Sequence, residues 1–239
     1  MKVAIVLSIV LIGAGVTACS SFLTPHLTSN QNQGVDRSIQ PNSQIDSLVA
    51  PYKLELDKEM SRVIGQAVVA LQVARPSSNL GSWVADASLN YFRSIDSLKA
   101  APVICIMNTG GIRSAIAKGP ITVGDIFKVM PFDNRLVAMK LPIKAKSDIS
   151  AYLKATGGEP IAGFTIQKGD IVFDKEFDSF DYIWVVTTDF LANGGDKMSF
   201  FQQAAARIET NVLLRDVLME AVHTQQEIGK ENYSARINW

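Results

Sequence analysis

Histidine is almost missing from this chain of 239 residues: only His26 and His223 occur. Hydrolysis of a phosphate ester by a pair of metal ions needs a set of such ligands to activate water and steady the transferring group. The sequence supplies no such set. His26 falls in a polar stretch near the start and His223 on a late helical segment, and a solvated polar side chain is the ordinary reading of both. Excess charge is missing too. The 23 Lys and Arg balance 23 Asp and Glu, and no basic tract stands out, so electrostatics gives no support for binding a nucleic-acid polymer. There is no internal repeat and no second linker. No apolar run reaches the about 20 residues that a permanent membrane-spanning helix needs.

A shorter apolar run does open the chain. Met1-Lys2 is followed by Val3 to Val16, the positive start and short apolar core of a secretory signal. It ends in Val16-Thr17-Ala18-Cys19, which resembles the lipobox of bacterial lipoproteins, where the signal is removed and the cysteine carries lipid. An ordinary signal with an incidental cysteine, or an uncleaved anchor, are the alternatives. The expectation is a signal peptide over 1–18, lipidation at Cys19, and a protein exported to the bacterial cell envelope, anchored in the membrane through its N-terminal lipid and facing the periplasm. With Cys19 lipidated, Cys105 has no intrachain partner, and it reads as a small apolar core residue. Residues 19–42 are rich in Ser, Asn, Gln and Thr. They cannot bury enough apolar surface to offset ordering, and so read as a flexible tether, spanning on the order of 25 Å.

Residues 43–239 have the composition of one globular domain. Ile45, Leu48, Tyr52, Leu56, Met60 and Val63 recur at helical spacing, with Pro51 interrupting the helix or marking its first turn. Ile64 to Val73 reads as a strand. Asn79 caps a helix with the buried stripe Leu80, Trp83, Val84, Ala87 and Tyr91. Val103 to Met107 is nearly all apolar, as expected at the centre of a covered sheet. Ile121 to Val123 is extended and Asp125 to Val129 a helical turn. Leu136 to Leu141 reads as a strand and Ser147 to Thr156 as a helix. Strands follow at Gly163 to Lys168, Ile171 to Phe173 and Tyr182 to Thr188, then helices at Phe200 to Ile208 and Val212 to Ile228. Helices and strands mix without strict alternation. The fold class is therefore α/β in the α+β sense, a mixed β-sheet covered by helices.

Three segments hold candidate ligand-reading groups: Asn108-Thr109-Gly110-Gly111-Ile112-Arg113, Pro131-Phe132-Asp133-Asn134, and Asp189-Phe190-Leu191-Ala192-Asn193-Gly194-Gly195-Asp196. A strand ending in a glycine pair presents backbone N–H groups and short side chains to a ligand; the plainer alternative is a tight turn whose glycines supply positive φ. Arg113 offers a fork of donors for phosphate or ribose, or else is a surface charge. Phe132 and Phe190 offer two faces for a base, where stacking contributes roughly 1–3 kcal/mol per base; two rings packed on each other in the core is the alternative. Asp196 is suited to accept from sugar hydroxyls, and also to cap a following helix.

In order and spacing, these segments resemble the C-terminal domain of the 5′-nucleotidase family. The resemblance covers about Ile45 to Ile237. It adds the Asn79-Leu80-Gly81 helix start with Ala85-Asp86-Ala87, the start of a strand at Gly119-Pro120-Ile121-Thr122, and the Met130-Pro131-Phe132 corner. The resemblance implies a nucleoside-binding fold in which Asn108 and Arg113 contact the nucleotide, Phe132 and Phe190 stack the base, and Asp196 holds the ribose. The family carries a further arginine shortly before the Asn-Leu-Gly helix start, and Arg75 stands in that stretch. Leu141-Pro142-Ile143 lacks the glycine common after that strand. Family members also carry an N-terminal metallophosphatase domain with two metal ions held by Asp, Asn and His. Nothing upstream of Ile45 is suited to form one.

The expected ligand is thus a nucleoside monophosphate or nucleoside. No catalytic residue, cofactor or metal site is expected in this chain, and divalent metal ions are expected in a separate metallophosphatase chain acting with it. A non-catalytic periplasmic nucleoside- or nucleotide-binding lipoprotein is the alternative, and a degenerate domain kept for an interaction the third.

Overall fold

The computed structural model describes residues 38–95, 102–174, 180–231 and 235–239, with 32, 34, 36 and 233. The signal segment, Cys19, His26 and most of the tether lie outside the described residues. The elements run α1 (Ser43–Met60), β1 (Val63–Ala67), α2 (Asn79–Arg93), β2 (Val103–Ile106), β3 (Gly119–Thr122), α3 (Val123–Val129), β4 (Arg135–Pro142), α4 (Lys146–Thr156), β5 (Ile161–Ala162), β6 (Phe164–Gln167), β7 (Asp170–Phe173), β8 (Tyr182–Thr188), α5 (Asp189–Ala192), β9 (Ala206–Leu213), α6 (Leu214–Gln225), β10 (Glu227–Ile228) and β11 (Ile237–Asn238). The chain divides after Leu48, and Val49–Trp239 is a compact unit. Among the described residues no helix is long and apolar enough to cross a membrane.

A five-stranded mixed sheet, ordered β5-β2-β8-β4-β9, forms the frame; β2 and β8 run parallel and the other pairs antiparallel. Both of its faces are covered, so its central strands carry apolar side chains on alternate sides. Val103, Cys105, Leu136, Ala138 and Val186 face one core, with α2, α3 and α6. Ile104, Ile106, Val137, Met139, Leu141, Ile183 and Val185 face the other, with Ile149 and Leu153 of α4. Two smaller mixed sheets, β10-β1-β3 and β11-β6-β7, complete the mixed α/β architecture. The Trp83 indole N–H donates to Gln225 Oε1 at 3.1 Å and ties α2 to α6. Cys105 is fully buried and free. Burial first, and the negative charge of Asp86 second, push its thiol well above the usual range, as befits a structural cysteine rather than a reactive one.

Several boundaries differ from the sequence expectation. Ser78, not Asn79, caps α2, its hydroxyl accepting from Gly81 N. Asn79 instead bonds the chain at Ala70 and Gln72, bracing the turn before the helix. The strand expected to run to Val73 stops at Ala67, and only Leu71 pairs again, with Ile116. Phe200 to Ile208 is not an α-helix. A 3-10 turn spans Ser199–Gln203, and the chain from Ala206 to Leu213 is strand β9, so α6 starts at Leu214 rather than Val212. Pro51 sits inside α1, which Asn42 begins by accepting from Gln44 N and Ile45 N. The helical spacing of Ile45, Leu48, Tyr52 and Leu56 is real, but all four are exposed.

Candidate functional site

The strand directions bring three loops to one edge of the sheet. β2 and β8 are parallel neighbours, so the turn after β2 and the loop after β8 leave on the same side. β4 is antiparallel to β8 with Leu136 opposite Thr188, so the corner leading into β4 arrives there as well. Ligands of parallel-stranded sheets collect outside such carboxyl ends. Here the three loops enclose a cavity of about 290 Å³ lined by Asn108, Gly110, Gly111, Arg113, Phe132, Asn134, Phe190 and Asp196. That size falls at the lower end of small-molecule sites.

The first wall is the turn Thr109–Gly111, a single 3-10 turn. Its glycines do not supply positive φ. Gly111 is needed for space, because a Cβ there would lie 2.6 Å from Asn108 Oδ1. The Asn108 amide therefore folds beneath its own turn, nearly buried, and its Nδ2 donates to Asp196 Oδ2 at 2.6 Å. The turn is held from outside by Glu159, itself 3% exposed, whose Oε2 accepts the Thr109 N–H at 2.6 Å. The other oxygen of Glu159 receives Arg75 at 2.5 Å, and Arg75 Nε donates to the Gly158 carbonyl. Arg75 is thus not among the residues lining the cavity; it anchors the residue that anchors the turn. Arg113 is exposed and donates to the Gly110 carbonyl at 3.1 Å. Among the described residues no carboxylate pairs with it.

The second wall is aromatic. Phe132 and Phe190 are 42% and 48% exposed, so neither ring is core. Phe190 follows the Thr188 cap of α5, whose hydroxyl accepts from Leu191 N. The carboxylate of Asp189 takes both Phe190 N and Arg135 N, joining the β8 loop to the start of β4. The second glycine pair divides two tasks: Gly194 adopts φ 95°, and Gly195 lies under the Phe190 ring, where a Cβ would come within 2.5 Å of Cε1. Asp196 does not cap a helix. It sits in the left-handed region at φ 50°, with its carbonyl accepting from the Tyr152 hydroxyl at 3.0 Å. Burial, then the charges of Glu159 and Asp196, push the Tyr152 phenol up to about 12, so it remains a donor at neutral pH.

Asn108, Arg113, Phe132, Phe190 and Asp196 thus converge on one cavity, which gathers two aromatic faces, a cationic fork, an amide and a carboxylate. The sequence reading gave no role to Glu159, Tyr152 or Asn134. Glu159 alone left a trace, an acid between the pair Gly157-Gly158 and the apolar Pro160-Ile161. No group of three or more His, Cys, Asp or Glu among the described residues is placed to share a metal ion, and His223 is exposed on α6. The cavity residues do not fit a metal centre.

Residues 63–142 match the family model described as 5′-nucleotidase, C-terminal domain. The chain is 29% identical over 198 residues to the trifunctional nucleotide phosphoesterase protein YfkN of Bacillus subtilis, covering 72% of this chain and 13% of that one. It is 33% identical over 153 residues to the endonuclease YhcR of the same organism, covering 59% and 11%. Among solved structures, the 5′-nucleotidase precursor of Thermus thermophilus superposes with a TM-score of 0.64 at 26% identity, over 81% of this chain and 42% of that one. The NAD nucleotidase of Haemophilus influenzae shares the fold, with a TM-score of 0.60 at 18% identity, over 82% and 41%. The chain spans less than half of each of these relatives.

Proposed function

We propose that this chain, which belongs to the 5′-nucleotidase C-terminal domain family through residues 63–142, holds the nucleoside part of a nucleoside monophosphate while a separate metallophosphatase chain removes the phosphate. One observation carries the reading: two half-exposed phenylalanines, a cationic fork and a carboxylate from three distant loops share one cavity. Phe132 and Phe190 take the base, which stacks without regard to its edge pattern. Asp196, steadied by Asn108, accepts from the ribose hydroxyls. Arg113 is free to turn from the Gly110 carbonyl to an anionic or sugar oxygen. Divalent metal ions in the partner would supply Lewis-acid activation of water and phosphate, and this chain's residues contribute orientation and recognition.

Calorimetric titration of the full chain with adenosine tests the reading. Saturable binding is expected, with inorganic phosphate a much weaker ligand because it meets neither ring. Binding of phosphate in preference to nucleoside would sink the assignment. Attachment to the envelope through lipid at Cys19 belongs to the same proposal. Expressed in a bacterium fed a fatty-acid analogue, the wild type is expected to take up label and partition with membranes, and Cys19→Ala to do neither. Equal labelling of the two would refute it.

A further inference from the structure

The corner that carries Phe132 is held by a residue outside the cavity. Arg215, the second residue of α6, is 8% exposed and directs its guanidinium at Met130–Asp133. One nitrogen donates to both the Met130 and Phe132 carbonyls at 3.4 Å, and another pairs with Asp133 Oδ1 at 2.7 Å. The guanidinium lies 4.2 Å over the Phe127 ring, a cation–π contact that further restrains it. One residue before it, Leu214 N donates to the Asn134 carbonyl at 2.9 Å. The start of α6 therefore grips the corner on both sides of the Phe132 ring.

Stability alone does not account for this arrangement. A cation in the first turn of a helix opposes the helix dipole. A nearly buried arginine loses hydration that an apolar residue would not, and buried ion pairs are weak contributors to stability. Its Nε has no acceptor among the described residues, a further cost. Asp133 is 80% exposed on its side chain, so the pair also forgoes much Coulomb energy to solvent. What the arrangement does achieve is geometric. Two carbonyls and a carboxylate from a four-residue corner meet one rigid, planar fork, and Phe132 is the corner residue whose ring lines the cavity.

We propose that Arg215 is a positioning residue of this site, setting the angle at which the Phe132 ring meets the base. The inference rests on the nucleoside reading of the cavity, and it is tested through a mutant cycle in the full chain. Adenosine affinity is compared for wild type, Phe132→Ala, Arg215→Lys and the double variant. Lysine keeps the charge and loses the fork. Arg215→Lys is expected to weaken adenosine about fivefold or more, within the range of a lost stacking partner, and to add nothing once Phe132 is alanine. An equal loss in both backgrounds, or none in either, would overturn the proposal. Asp133→Asn, at an exposed position, carries the same cycle if Arg215→Lys does not fold, with a smaller loss that also vanishes in Phe132→Ala. Failure of the wild type to bind adenosine would defeat the nucleoside reading instead. The positioning claim is then read from Phe132→Trp after subtracting the emission of the three native tryptophans, measured in the matching Phe132 protein: the difference emission should shift to the red and its anisotropy decay faster when Asp133→Asn or Arg215→Lys is added. An unchanged tryptophan signal would contradict it.

Discussion

Incubated with a nucleoside monophosphate and Mg²⁺, Mn²⁺, Zn²⁺ or Co²⁺ in turn, the purified chain is expected to release no phosphate. Two-metal hydrolysis needs a convergent ligand set, and no such group is placed among the described residues. Mixed with a cognate metallophosphatase chain, it is expected to confer or raise activity on nucleoside monophosphates. Arg113→Ala should remove much of that gain, roughly ten- to a hundredfold, as for loss of hydrogen bonds from a charged group. The same variant should act far less on an aryl phosphate, which offers no nucleoside to recognise. Phosphate release is the assay. Robust hydrolysis by this chain alone, with contaminants excluded, would defeat the two-chain reading. Tight adenosine binding with no effect on any partner phosphatase would favour the non-catalytic binding role.

The second large effect is expected from a single methyl group. In Gly195→Ala the new Cβ would lie 2.5 Å from Phe190 Cε1 and 2.7 Å from Cδ1 and Cζ, closer than atoms of this kind approach. The backbone at Gly195 is not in the left-handed region, so the fold can accept alanine. The ring, half-exposed at 48%, is what must move. Adenosine affinity should then fall by about 1–3 kcal/mol, the stacking contribution, with the thermal midpoint nearly unchanged. Phe190→Ala should match it, and the two changes together should cost little more than either. A Gly195→Ala protein that binds as wild type would show that Phe190 does not stack the ligand.

The frame of the molecule was legible because its strands follow a simple physical pattern. Val103 to Ile106, Leu136 to Leu141 and Tyr182 to Thr188 are apolar and β-rich, and both faces of their sheet are covered. β9 was not legible. Phe200 to Ile208 carries Gln202-Gln203-Ala204-Ala205-Ala206, good helix formers, yet only a 3-10 turn forms over Ser199–Gln203, and pairing of Arg207 with Met139 and Ile208 with Ala138 draws the chain from Ala206 into the edge strand. Tertiary pairing overrides local preference there. In the site, the motif residues announced themselves through their glycines, but the reason for the glycines was hidden. Gly111 and Gly195 make room for Asn108 and Phe190, a fact of three-dimensional packing rather than of backbone torsion. Glu159 and Arg215 reach their partners across 50 and more than 80 residues of chain, and such contacts leave no periodicity to read.

The central claim is that a base lies against Phe132 and Phe190. Phenylalanine-labelled protein titrated with adenosine and followed by NMR tests it most directly. The account predicts ring-current shifts at Phe132 and Phe190 that saturate with adenosine, while the buried rings of Phe200 and Phe201 stay in place. Saturating shifts elsewhere, with the signals of Phe132 and Phe190 unmoved, would contradict it.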